Sequence, residues 1–204
     1  MATPGSMVDK ALASDPAPLG LLGFAMTTFL LSFINAGYLN ASGTYLVVPL
    51  AIAFGGTAQW VAGILEGRKG NTFGFTAFCG YGAFWYFYAF IFMFSSSVPA
   101  GLFAVDTQTL AVAFALWGTF TLILWVPSMF ASTMHALVFF FLTITFYVLA
   151  YGNAYASTSV VKDGGFLGLI TAALAAILAW EILVNFMSGR TLLPLGPAWI
   201  KKSA

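Results

Sequence analysis

From Pro16 to Leu65 the chain carries no Asp, Glu, Lys, Arg or His. A run this long and this apolar has lipid for its solvent. Each bilayer crossing needs about 20 apolar residues at roughly 1.5 Å rise, so the run fits two helices. The pattern then repeats, and six windows emerge: Leu19–Leu39, Leu46–Leu65, Thr72–Phe94, Thr109–Phe130, Ala136–Tyr155 and Phe166–Met187. They are too long and too evenly apolar for barrel strands, which alternate over about 10 residues. The expected fold class is an all-α membrane protein with six transmembrane helices. Turn chemistry separates the windows at Asn40 to Gly43, Glu66 to Asn71, Ser95 to Asp106, Pro127 to His135, and Lys162 to Gly165.

The 204 residues are 61% hydrophobic and 6% charged, which leaves no stretch for a separate soluble domain. Residues 1–18 are expected as an N-terminal tail, 19–187 as the membrane domain and 188–204 as a C-terminal tail. The first tail has one lysine, no Arg pair and no apolar h-region, so the first hydrophobic helix should direct insertion and stay. With the N-terminus inside, Lys10, Arg68, Lys69, Arg190, Lys201 and Lys202 are internal and Lys162 alone is external. That bias predicts cytoplasmic termini and a multi-pass protein of the cell membrane. A net charge of +1 gives no reason to expect nucleic acid.

Candidate chemistry is sparse. One histidine, His135, reads as a loop residue, and Cys79, with no second thiol, as a small packing residue. No metal, cofactor or catalytic constellation is expected, and the chain does not read as an enzyme. Glu66 should end helix 2 at the cytoplasmic interface. Glu181 sits within helix 6, either as a functional acid at membrane depth or as an interfacial group beside Trp180 with Arg190 as partner. Glycines lie at helix-contact spacing: Gly56 and Gly63 flank Gln59, and Gly70 and Gly74 form a small-xxx-small pair. Such spacing serves either packing within the bundle or a subunit interface. An uncharged polar thread remains: Thr27, Thr28, Asn35, Thr57, Gln59, Thr76, Tyr81, Thr143 and Thr145. These groups either bond across helices or line a path for a small solute.

Certain stretches are specific. Asp15-Pro16-Ala17-Pro18-Leu19-Gly20-Leu21 precedes helix 1, and Phe54-Gly55-Gly56-Thr57-Ala58-Gln59 lies in helix 2. Glu66-Gly67-Arg68-Lys69-Gly70-Asn71-Thr72-Phe73-Gly74 joins helices 2 and 3, and Gly189-Arg190-Thr191-Leu192-Leu193-Pro194-Leu195-Gly196 follows helix 6. In order and spacing, residues 15–196 resemble the acetate uptake transporter family. The resemblance implies a hexamer of six-helix subunits, each with a pore for acetate and related short monocarboxylates, succinate in some members. It implies a hydrophobic constriction of Phe24, Tyr81 and Leu142, a specificity position at Ala175, and a mouth motif at Asp15, Pro16 and Pro18. On this reading Thr27, Thr28, Asn35, Gln59 and Thr143 line the path. The family's first motif position is usually Asn; Asp15 here either caps helix 1 or places a negative charge at the mouth. Channel and proton-symport modes both stay open, as do ammonia passage and a non-transporting scaffold or sensor.

Overall fold

The computed structural model describes residues 14–97 and 105–201. Most of the N-terminal tail, part of the Ser95–Asp106 turn, and the cations Lys10 and Lys202 lie outside the described residues. The chain forms six spans: α1 (Ala17–Asn35), α2 (Ala41–Arg68), α3 (Thr72–Ser97), α4 (Thr107–Ser128), α5 (Thr133–Ala154) and α6 (Thr158–Ser188). Helices dominate because lipid offers the backbone no partner, so each segment must satisfy its own N–H and C=O groups. Large apolar side chains such as Leu116, Ile123 and Met187 remain exposed on the outer faces, where lipid can cover them.

The spans close into a ring. Each helix packs on its neighbours in sequence, and α6 returns to pack along α1. Across the ring, no Cα of α3 comes within 8 Å of a Cα of α5 among the described residues. Aromatic rings fill that gap, with centroids of 5.2 Å for both Phe73–Phe139 and Phe84–Phe146. The centre of the molecule is thus an axis packed by side chains rather than by backbone. An even number of crossings brings both described chain ends to one face, here the terminal face; the other is the distal face.

Several boundaries differ from the sequence reading. Helix α1 stops at Asn35 and not Leu39, because Gly37 takes φ +83° and the following N–H groups of Tyr38 and Leu39 turn back to the Phe33 carbonyl. Helix α2 begins earlier than Leu46, in a 3₁₀ turn at Ala41–Gly43. The largest correction is α6. It starts at Thr158, so Lys162 to Gly165 is helix and not a turn; the actual turn spans Tyr155 to Ser157. Gly164 and Gly165 are packing residues. A Cβ on Gly164 would lie 2.6 Å from Leu149 Cδ2, and one on Gly165 would meet the backbone of Asn35 and Ala36. His135 likewise leaves the loop for the first turn of α5, where Ser132 Oγ accepts from its backbone N–H at 3.3 Å. Its ring Nδ1 is 2.7 Å from the same hydroxyl.

The glycine reading divides. Gly63 packs inside the bundle, its missing Cβ leaving room for Cys79 Sγ at 2.6 Å. Gly70 is no contact residue: it sits in the α2–α3 turn at φ +82° with open space around it, so the Gly70–Gly74 pair does not form a helix contact. After α6 the chain lies against the α4–α5 turn. Met134 N–H donates to Leu195 O at 3.1 Å and Ile200 N–H to Met129 O at 3.1 Å. Asn185 Oδ1 fixes the bend by accepting from Leu192 and Leu193 N–H at 2.8 and 2.9 Å.

Gly165→Ala should separate α1 from α6, because the opposing atoms are backbone and cannot rotate aside. The expected loss is about 1–3 kcal/mol, read as a lower thermal midpoint in detergent. Melting unchanged from wild type would show that this crossing can yield.

Candidate functional site

Tyr81 marks the centre of the axis. Its ring centroid lies 5.7 Å from Phe24 of α1, 5.4 Å from Phe120 of α4 and 6.2 Å from Phe139 of α5. The phenol donates to Thr121 Oγ1 at 2.9 Å, and the Thr121 hydroxyl donates in turn to Trp117 O at 2.8 Å. The ring is therefore held by packing on three sides and its hydroxyl is already engaged. Leu142 is buried in the same core, one helical turn beyond Phe139. Phe24, Tyr81 and Leu142 thus share one apolar cluster contributed by three helices. Sequence reasoning missed Phe120, Phe139 and Thr121. The Thr-rich run of α4 was visible, but nothing in it pointed to Tyr81.

The polar thread splits into two sets. Thr27, Thr28, Gln59 and Thr143 are buried. Thr27 and Thr143 spend their hydroxyls on Gly23 O at 2.8 Å and Phe139 O at 2.7 Å. Thr28 Oγ1, Gln59 Oε1 and the indole N–H of Trp85 are buried without a hydrogen-bond partner among the described residues. An orphaned buried polar group costs about 1–3 kcal/mol, so such a set calls for water or a polar solute. Thr57 and Thr76 point outward, and Thr57 bonds Ile52 O and Tyr86 OH, both at 2.7 Å. Thr145 turns to the α5–α6 seam, 3.3 Å from Thr171. Asn35 ends α1 on the distal face, where it borders an open cavity of ≈ 730 Å³. Ala175 is fully buried in α6.

Gln59 is set by an irregular helix. Residues Ala51–Ala58 form a π-helical segment between α-helical parts Thr44–Leu50 and Gln59–Arg68. Pro49 lacks an N–H for the regular ladder, and Gly55-Gly56 lets the wider turn pack closely. A Cβ on Gly23 of α1 would lie 2.7 Å from Phe54 O. Such π turns concentrate at functional sites. Pro49 and the glycine pair were the available signal, and the apolar pattern masked it.

On the terminal face Asp15 Oδ1 accepts from Ala17 N–H at 3.1 Å, an Asx turn across Pro16, and from Lys69 Nζ at 3.1 Å. Pro16 occupies the N-cap position of α1, and Pro18 sits in the first turn, where a missing N–H costs nothing. Lys69 also approaches Glu66 Oε1 at 3.9 Å. Glu66, at the end of α2 on this face, is fully buried within the protein, with Oε2 accepting from Asn71 Nδ2 at 2.6 Å. Asn71 Oδ1 in turn accepts from Gly74 N–H at 3.1 Å. Glu181 has no ion pair with Arg190 among the described residues, and its Oε2 is buried without a partner.

The geometry is that of a six-span membrane protein whose ring of helices surrounds an aromatic axis. Residues 2–194 match the GPR1/FUN34/yaaH family. The chain is 42% identical over 184 residues to the succinate-acetate/proton symporter SatP of Escherichia coli, covering 90% of this chain and 95% of the relative. It is 38% identical over 165 residues to ammonia transport outward protein 2 of Saccharomyces cerevisiae, covering 79% of this chain and 58% of the relative. Acetate permease A of Emericella nidulans is 36% identical over 192 residues, covering 85% and 61% respectively. The solved structure of the bacterial acetate channel SatP matches with a TM-score of 0.84 at 42% identity, covering 90% of this chain and 99% of that one. The chain belongs to the GPR1/FUN34/yaaH family.

Asp15→Asn keeps the acceptor for Ala17 N–H and loses only a partly exposed ion pair, at a cost expected below about 1 kcal/mol. Asp15→Ala loses both, and about 1 kcal/mol in addition. Thermal unfolding in detergent ranks the two; equal losses would show that the charge pair alone holds this segment.

Proposed function

We propose that the chain is a pore for acetate and similar short monocarboxylates, narrowest at Phe24, Tyr81 and Leu142. The observation that carries this is Tyr81, pinned on the bundle axis among three aromatic rings in a chain so similar to an acetate channel. An apolar ring of this kind gates by dewetting: a small solute passes after shedding part of its hydration shell, and a larger one is refused. Gln59 and Thr28, whose polar atoms are buried without partners among the described residues, supply polar contacts to the solute, and Thr27 and Thr143 expose little beyond their satisfied hydroxyls. Ala175 keeps α6 thin beside the path, where a larger side chain would alter selectivity. No fixed cation is needed to hold the solute, which suits a path that must also release it.

On the positive-inside rule the terminal face, with Arg68, Lys69, Arg190 and Lys201, is cytoplasmic. Residues 1–18 and 188–204 are then cytoplasmic tails of the spanning domain 19–187. The working assembly is a homohexamer in the bilayer with one pore per subunit. Proton linkage and succinate as a second substrate follow the bacterial symporter. Ammonium passage is disfavoured, because a cation path calls for acids along the axis and Glu181 alone stands at such depth. Uptake of labelled acetate and of ammonium into proteoliposomes tests this directly. Acetate accumulation without ammonium flux is expected; ammonium flux alone would overturn the reading, and no flux of either would leave a scaffold or sensor.

Tyr81→Ala and Leu142→Ala should widen the narrow point, so that lactate, butyrate or succinate competes better against labelled acetate. Tyr81→Phe, which keeps the ring and gives up only the bond to Thr121, should hold the wild-type order of competitors. Inhibition profiles unchanged in both alanine variants would place the narrow point elsewhere.

Proton coupling, where present, should not depend on a buried relay through Glu181. Glu181→Gln is expected to keep a substantial fraction of acetate uptake. Complete loss in a variant that melts like wild type would make Glu181 part of the coupling path.

A further inference from the structure

The distal face carries a feature that the constriction does not use. The ≈ 730 Å³ cavity there is walled by the end of α1, the starts of α2 and α6 and the last turns of α3. The Lys162 ammonium is the one charged group on its wall, beside polar groups that include the Asn35 amide and the hydroxyls of Thr44 and Thr158. Lys162 is exposed and makes no ion pair among the described residues, whereas Lys69 on the opposite face is held by two carboxylates. Its neighbour Asp163 is not on the cavity wall, being turned about 100° around the helix. Gly37 gives the lysine its place: the side chain lies over that glycine, with Cε 3.1 Å and Nζ 3.6 Å from where a Cβ would stand. The start of α6 at Thr158 is what makes this possible, since a Lys162 in a free turn would have no fixed relation to α1.

The cavity also borders the helix that carries Tyr81. Tyr88 lies on its wall, and Tyr88, Phe84 and Tyr81 follow one another on one face of α3. Tyr88 and Tyr81 are two turns apart, roughly 10 Å along the axis. The space far exceeds one small carboxylate, since a water in the liquid takes about 30 Å³. A solute there keeps much of its hydration, and selection by size is left to the constriction.

We propose that this cavity is a low-affinity capture site for small carboxylate anions, with the Lys162 ammonium as its fixed charge and Asn35, Thr44 and Thr158 as hydrogen-bond donors. It deepens the reading of the chain as a carboxylate pore and rests on it for the passage that follows capture. A single solvated cation raises the local anion concentration without trapping the ion. One unit charge some 4 Å from a carboxylate in water-like dielectric corresponds to about a five-fold effect.

Two measurements test it. In right-side-out vesicles, Lys162→Gln should lower acetate uptake about five-fold at low substrate and low salt, and Lys162→Glu further, while Lys162→Arg restores it. The deficit should fade at saturating acetate, and also as salt shortens the screening length from about 30 Å at 0.01 M to about 3 Å at 1 M. Equal low-substrate rates in wild type, Gln and Glu variants would overturn the proposal. Independently of transport, the full chain can be reductively ¹³C-methylated, which keeps lysine charge, with the Lys162 signal assigned by its loss in Lys162→Arg. Titration with sodium acetate should shift that signal more than the Lys201 signal does, and more than matched sodium chloride or acetamide. No selective shift would also overturn it. A selective shift in a protein that carries no acetate would uphold the capture site and sink the pore reading alone.

Discussion

The distance between α3 and α5 governs this molecule. In a soluble bundle, water would drive helices together until backbones met across the middle; in lipid that drive is absent, and packing alone decides. Here the seams are drawn tight by glycine, as where Gly165 meets the α1 terminus and Gly63 meets Cys79. The middle is held open by aromatic residues too large to let α3 and α5 approach. A ring of six helices with tight seams and a bulky centre has an axis by construction. That axis is filled by a few side chains, with Tyr81 at its centre.

Tyr81 is suited to the part because its freedom has been removed. Three rings bound its faces and edges, and Thr121 takes the hydroxyl that would otherwise be an orphan in an apolar site. Thr121 can do so because its own hydroxyl donates to the Trp117 carbonyl. Buried groups without a partner among the described residues include Thr28, Gln59 and Trp85. Satisfied polar atoms thus hold the Tyr81 ring in place, while unsatisfied ones on α1, α2 and α3 stand near it in the frame of the axis. The π segment of α2 belongs to the same division, since it brings irregular backbone against Gly23 where only glycine fits.

Six crossings were legible because hydrophobic length is a one-dimensional property, and lipid makes it decisive. Boundaries were legible only where a local signal was unambiguous. Lys162 to Gly165 looked like a turn because charge and glycine normally end a helix; here the two glycines face Leu149 and the α1 terminus, and the lysine reaches over Gly37. His135 looked like loop because the capping serine before it was not weighed. Phe24 and Leu142 could be singled out only by resemblance, since burial alone does not distinguish an axis residue from any other core residue. Thr57 and Thr76 stood in the polar thread with both readings open for the converse reason: polarity shows that a partner is needed but not on which face of the helix it lies.

Charge is disposed differently on the two faces, and the difference has a physical consequence. On the terminal face Lys69 is held between Asp15 and Glu66, so Asp15 has a counter-ion beside it and adds little field there. That network instead ties the segment before α1 to the α2–α3 turn through Asn71 and Gly74. On the distal face the lysine is unpaired among the described residues and borders open space. A neutralised cluster orders chain and projects little field, whereas an exposed lysine without an ion pair keeps its field, offset in part by the exposed carboxylates of Asp163 and Asp106 on the same face. The asymmetry is therefore one of charge pairing, with the terminal-face lysine paired and the distal one unpaired among the described residues.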